Sequence, residues 1–260
     1  MERVDDAAVP LGLPDSVRGC LFDLDGVLTK TAIVHAKAWK QTFDEFLQKR
    51  AGDHDFAEFT DQDYINYVDG KPRENGVYDF LASRGIDLPM GNRDDPASGQ
   101  TVWAVGNRKN ELLLELIERD GVEVYPDAVH YVELARAAGL RGVVVSSSAN
   151  TATVLKVTDL SRYFEGRVDG VTLAQQQLRG KPAPDSFEAG ARMLALRADQ
   201  CVVFEDAISG VTAGHAAGCY VVGVDRVQDG EHGDNLRTNG ADTVVQQLTE
   251  LLDAGAEGSR

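Results

Sequence analysis

"RGCLFDLDGVLTK", residues 18–30, begins with an apolar run and then places two acids, Asp23 and Asp25, one position apart before a glycine. The run is short and bounded by a turn signal, which predicts a buried strand over 18–24. Like charges so close repel, so the acids at its end call for a partner. Further strands are predicted for "RGVVVSS" (141–147), "RVDGV" (167–171), "CVVFED" (201–206), "YVVGV" (220–224) and "DTVV" (242–245). Amphipathic helical stretches lie between the later ones, over 127–138 and 207–217, and stop at Gly139 and Gly218. Strand then helix, repeated, predicts an α/β fold with a doubly wound parallel sheet.

Between the first and second strands the chain runs from residue 24 to residue 141, although a crossover needs a single helix. "TAIVHAKAWKQTFDEFLQKR" places Ala36, Trp39, Phe43, Phe46 and Leu47 on one helical face, and "TVWAVGNRKNELLLELIERDG" does the same with Val102, Val105, Leu112, Leu116 and Ile117. Residues 31–122 are therefore read as an inserted α-helical cap, with "MGNRDDPASG" as a solvated loop within it. The core is then 15–30 and 123–253, and residues 1–14 and 254–260 are expected to be flexible.

Forty-two acids against 26 Lys and Arg give a formal charge of −16. Such a chain repels nucleic acid unless a local patch reverses the sign. Apolar runs such as "CYVVGV" are too short to span a bilayer, and "MERVDDAAVP" has neither a signal core nor a basic amphipathic face, so the expected location is the cytoplasm. Cys20, Cys201 and Cys219 each adjoin an apolar run and fit no zinc spacing, which predicts buried thiols in a reducing compartment.

Ligands of open α/β sheets gather beyond the carboxyl ends of the strands. Asp23 and Asp25 fall at one such end, with Gly26 free to bend the chain, and Glu205 and Asp206 fall at another. Carboxylates converging there need a divalent cation, and oxygen ligands with room for water favour magnesium. A lone acidic turn of this kind is equally well a solvated one. Ser146, Ser147, Ser148 and Asn150 supply hydroxyls, an amide and free N–H groups at a helix start, where an anion can bind, although a Ser-rich strand end is also an ordinary cap. Lys181, before the proline-stiffened turn of "GKPAPDSF", carries a point charge suited to a phosphoryl group.

In this order, "FDLDGVLTKTAIVHAKAW", "SSSAN", "GKPAPDSF" and "FEDAISGV" resemble the haloacid dehalogenase-like superfamily of phosphotransferases, in its β-phosphoglucomutase-like branch. The resemblance covers nearly the whole chain and implies a Rossmann-like core of that superfamily with a helical cap. It implies that Asp23 is the nucleophile that becomes an aspartyl phosphate, that Asp25 is the general acid and base, and that Ser146 and Lys181 hold phosphoryl oxygens. Mg2+ is then bound by Asp23, the main-chain carbonyl of Asp25, Glu205 and Asp206. In the cap, Thr31 sits at the hinge, His35 lies near the acid/base, Arg73 grips a remote phosphate with Lys71 in the same turn, and Lys109 with Asn110 forms a further signature.

These cap residues also have structural readings. Arg73 suits an exposed helix start, Lys109 a pair with an acid on its own helix, His35 a partly buried helical histidine and Trp39 the cap core. Lys30 and Asp69 depart from the branch pattern, as does extra sequence around 48–62 and 87–99. The expected activity is conversion of β-glucose 1-phosphate into glucose 6-phosphate through a bisphosphate, by a monomer acting on a small sugar phosphate. The alternative is a phosphatase of a small sugar phosphate. A phosphorylated signalling module needs no substrate chamber, and the large cap argues against it.

Overall fold

The computed structural model describes residues 10–68, 71, 73–227 and 230–252. Asp69 and most of the expected terminal segments lie outside these residues. The chain divides into two compact units, Thr31–Val122 and the pair of flanking pieces Met1–Lys30 and Glu123–Arg260.

The inserted unit is helical: α1 (Thr31–Ala51), α2 (Asp61–Asp63) running into a π-helical turn at Tyr64–Val68, α3 (Arg73–Ser83) and α4 (Val102–Asp120). Thr60 starts α2 with a capping box shared with Asp63, and the Thr101 hydroxyl caps α4 by accepting from the Ala104 N–H. The core of this unit is aromatic. Phe43 stacks on Trp39 with ring centres 5.1 Å apart and meets Phe80 at 4.2 Å, while Phe59 stands edge-on to Phe80 at 4.9 Å. Each buried ring of this size contributes roughly 2–3 kcal/mol. Trp39 is thus core, as its spacing suggested. Ala36 and Phe46, expected on the buried face of α1, are only half-buried, and Ala38 is buried there. The 90–99 loop is turn-rich and mostly exposed, pinned by Asp95 accepting from the Asn92 N–H and the Thr101 hydroxyl.

The other unit is a six-stranded parallel sheet: β1 (Gly19–Phe22), β2 (Arg141–Val145), β3 (Gly166–Val168), β4 (Cys201–Glu205), β5 (Tyr220–Val224) and β6 (Thr243–Val245), in the order β3-β2-β1-β4-β5-β6. Its helices are α5 (Pro126–Ala137), α6 (Thr151–Val157), α7 (Gly170–Gln176), α8 (Asp185–Met193), α9 (Ile208–Ala217) and α10 (Glu231–Thr238). Strands covered on both faces need continuous apolar runs, and every residue of β1 and β4 is buried.

The strands stop earlier than their apolar runs suggested. Asp169 ends β3 by accepting from the Thr172 N–H as the cap of α7, so the predicted strand 167–171 becomes a three-residue strand and a helix start. β1 ends before Asp23, and β2 before its serines. Leu11 and Gly12, inside the expected N-terminal tail, touch the core: the Tyr131 hydroxyl donates to the Leu11 carbonyl, and Gly12 lies against the Leu251 backbone. No helix among the described residues is long and apolar enough to cross a membrane.

The two strands of chain that lead into and out of the insertion run side by side. Thr29 forms an antiparallel bridge with Val124, the Lys30 N–H donates to the Glu123 carbonyl at 2.9 Å, and the Tyr125 N–H donates to Leu28 at 2.9 Å.

Candidate active site

Strand order reverses direction at β1, which has β2 on one side and β4 on the other. Such a switch point opens a crevice beyond the carboxyl ends of the strands. Asp23 follows β1, Ser146 follows β2 and Glu205 closes β4, so three residues distant in sequence arrive at one place.

Lys181 ties that place together. Its ammonium donates to Asp23 Oδ1 at 2.5 Å, to Glu205 Oε1 at 2.5 Å and to the Val145 carbonyl at 3.0 Å, giving each of its three N–H bonds an acceptor. Burial works against its charge, but Asp23 and Glu205 outweigh that and hold Lys181 above its ordinary pKa.

Carboxylate oxygens of Asp23, Glu205 and Asp206 all lie within 4.8 Å of one another. One lysine does not neutralise them. Burial, opposed by Lys181 and reinforced by Asp23, pushes Glu205 up to about 7. Burial together with Glu205, Asp23 and Asp25 holds Asp206 well above the usual carboxylate range. A buried surplus of negative charge on hard oxygen donors suits a divalent cation, which relieves both effects.

Two glycines make room for this cluster. Gly26 has φ +85°, and a Cβ placed there would meet Asp206 Oδ2 at 1.8 Å. A Cβ on Gly210 of α9 would meet Glu205 Oε1 at 1.8 Å. Asp25 lies in the turn that Gly26 completes, bridged to Thr29 and half-buried.

The hydroxyl strand end is tied together by its own bonds. Ser146 is buried and its Oγ accepts from the Ser148 N–H, while Ser148 Oγ accepts from the Asn150 N–H. Asn150 stands at the N-cap of α6 and Ser147 is exposed. The three cysteines are free and buried, and burial pushes the Cys201 and Cys219 thiols up to about 11 and about 12, which makes them inert. One contact had no signal in the local pattern: His232 of α10 places Nε2 2.8 Å from the Asp206 carbonyl.

Within the inserted unit the expected residues have defined neighbours. Lys109 is buried, with its Nζ 3.2 Å from His35 Nδ1 and 5.0 Å from the Trp39 ring centre. An ammonium can only donate, so His35 Nδ1 accepts and Nε2 carries the proton. Burial, then the Lys109 charge, lowers the His35 pKa well below its usual value. Arg73 opens α3, half-buried, with its guanidinium 5.8 Å from the Trp103 ring centre and no ion pair among the described residues. Its stem packs on Gly106, whose missing side chain leaves the space. Lys71 pairs with Asp79 at 2.6 Å, and Thr31, the first residue of α1, is fully buried. Lys30, one of the branch departures, pairs with Glu123 at 2.8 Å.

Comparison with known proteins agrees with this architecture. A family profile for haloacid dehalogenase-like hydrolases matches residues 17–218. A β-phosphoglucomutase of Mycobacterium tuberculosis is 51% identical over 246 residues, 93% of this chain and 94% of its own. Hexitol phosphatase A of Escherichia coli is 27% identical over 236 residues, 90% and 93% of the two chains. Among solved structures, a β-phosphoglucomutase of Clostridium difficile superposes with a TM-score of 0.71 at 21% identity over 94% of this chain and 99% of that one, a likeness of fold.

Proposed function

Because the chain belongs to the haloacid dehalogenase-like hydrolase family, we propose that it is a magnesium-dependent phosphotransferase of the β-phosphoglucomutase type, converting β-glucose 1-phosphate into glucose 6-phosphate. The observation that carries this reading is the 51% identity to the mycobacterial enzyme across nearly the full length of both chains. The Asp23, Lys181, Glu205 and Asp206 cluster supplies the chemistry it needs.

An Asp23 oxygen attacks the phosphorus, the bond from phosphorus to the sugar oxygen breaks, and an aspartyl phosphate forms. Splitting the transfer this way replaces one hard step with two easier ones. Asp25 gives a proton to the departing sugar oxygen and later takes one from the accepting hydroxyl. Lys181 and the Ser146 hydroxyl hold phosphoryl oxygens, with Ser147, Ser148 and Asn150 beside them. Asp23, the Asp25 carbonyl, Glu205 and Asp206 would hold Mg2+, which when bound cancels charge between an anionic nucleophile and an anionic phosphoryl group. A mutase must also hold the second phosphate of a bisphosphate. Arg73, a half-buried guanidinium without an ion pair among the described residues, is suited to that, and Lys71, Lys109, His35 and Thr31 complete the substrate-recognising set.

The enzyme is read as a cytoplasmic monomer that binds neither nucleic acid nor membrane, in keeping with its charge of −16 and its buried free thiols. A phosphatase of a small sugar phosphate is the second reading, favoured by the likeness to hexitol phosphatase A. Incubation with β-glucose 1-phosphate, Mg2+ and a trace of glucose 1,6-bisphosphate separates the two. Glucose 6-phosphate is the expected product; inorganic phosphate released with no isomer formed defeats the mutase reading.

A further inference from the structure

Beyond the acidic cluster, a half-buried cation touches the Asp25 turn from the far end of the sequence. Arg226 follows β5, and its side chain and that of Asp127 are 13% and 11% exposed. All five guanidinium N–H bonds have acceptors. Nε donates to the Gly26 carbonyl at 3.3 Å; Nη1 donates to Asp127 Oδ1 at 3.2 Å and the Gln246 carbonyl at 2.9 Å; Nη2 donates to the Val27 carbonyl at 3.3 Å and Asp127 Oδ2 at 3.1 Å. The plane lies over the Tyr125 ring, 3.9 Å from its centre. Asp127, in the first turn of α5, also accepts from the Leu248 N–H at 2.8 Å.

We propose that Arg226 is a positioning residue for the acid/base turn: oriented by Asp127 and Tyr125, it holds the Gly26 and Val27 carbonyls and so fixes the direction in which Asp25 is presented. This rests on the reading of Asp25 as the acid/base. The turn is already closed by its own bonds, from the Gly26 N–H to Thr29 and from the Leu28 and Thr29 N–H groups to Leu24. Those bonds fix its shape, and the Thr29–Val124 bridge with the Tyr125 N–H bond to Leu28 holds its last residues. Arg226 adds a side-chain tether at Gly26 and Val27, next to Asp25, joining that part of the turn to α5, to the end of β5 and to the segment after β6. The two contacts to the turn are long, so the tether orients rather than grips. A planar fork is needed for it: lysine keeps the charge facing Asp127 but cannot reach two backbone carbonyls and stack on an aromatic ring at once.

The test is Arg226→Lys beside a Leu251→Ala control chosen for a similar loss of thermal stability. Amide hydrogen exchange over 25–29 and phosphoryl transfer are measured on both, using β-glucose 1-phosphate and, as a generic phosphoryl donor, acetyl phosphate. Arg226→Lys is expected to speed exchange in 25–29 at least about tenfold and to lower kcat about 10–100-fold with KM changed less than about threefold, the pattern of a misplaced reacting group. The control should show neither. Unchanged exchange in 25–29, or faster exchange with kcat intact, overturns the proposal, as does an equal loss of kcat in the control. If the wild type isomerises no sugar phosphate but hydrolyses acetyl phosphate, the mutase reading fails and Arg226 is judged on that hydrolysis. If it turns over neither donor, both proposals fall.

Discussion

Lys181 has acceptors on three separate strand ends, and this makes it a structural strut as well as the phosphoryl-holding cation proposed above. Removing it leaves the buried carboxylates of Asp23 and Glu205 without their counter-charge. Lys181→Met should therefore lower stability in metal-free buffer by about 3 kcal/mol, in the range found when one partner of a buried pair is deleted, as read by urea unfolding. Added Mg2+ should restore part of that loss. Under the proposed role of Asp23 as nucleophile, Asp23→Asn keeps the shape of the site and removes the attacking charge, so no phosphoenzyme should be detectable by mass spectrometry after incubation with substrate. The pH dependence has a definite sign. Glu205 is pushed from its ordinary 4.5 up to about 7 in the folded chain, so the folded metal-free state holds that proton more tightly than the unfolded one. The stability it contributes is complete below about pH 4.5 and is lost as pH rises through about 7. Divalent binding should accordingly strengthen between pH 5.5 and 7.5, and a calorimetric titration series that showed no such trend would contradict the shift. Single residues were only partly legible in the sequence. Asp23, Lys181 and Glu205 stand in recognisable local settings, whereas the contacts of Arg226 with Gly26 and Val27 span about two hundred residues and leave no trace in any local pattern.

Elements converge because the sheet reverses its order at β1, and glycines set how closely they approach. Gly26→Ala would force its Cβ into the Asp206 carboxylate at a backbone angle that L side chains avoid. The variant should fold with a modest stability loss of about 1–2 kcal/mol yet bind Mg2+ at least about tenfold more weakly, measured by calorimetry. Gly210→Ala tests the same point from α9, where the added methyl meets Glu205. The element types follow from alternating strand and helix patterns, since buried parallel strands need unbroken apolar runs. Their ends were less legible. Asp169 looks like part of a strand until its carboxylate is seen capping α7, and Asp23 belongs to an apolar run whose ladder has already ended. Polar residues at strand ends can continue a ladder, cap a helix or face a ligand, and only the tertiary setting chooses among them. In the inserted unit, helical periodicity marked α1 and α4, but the contact of Lys109 with His35 joins two helices and no single-helix pattern encodes it.

At the scale of the whole molecule, the inserted helices occupy a continuous segment, while the sheet unit is assembled from pieces on either side. The segments entering and leaving the insertion are bonded to each other from Leu28 to Tyr125, within the sheet unit. Replacing residues 31–122 by a short Gly-Ser linker should yield a folded protein with a cooperative thermal transition and with Mg2+ binding retained. Under the roles proposed for Arg73, Lys109 and His35, isomerisation should be absent. A product that is soluble but lacks a cooperative transition would show that the sheet depends on the insertion. The paired entry and exit strands have a wider meaning too. A gene can trade the material between two such adjoining points for another cassette, longer or shorter, so under the roles proposed above substrate recognition can change while the acidic cluster stays as it is.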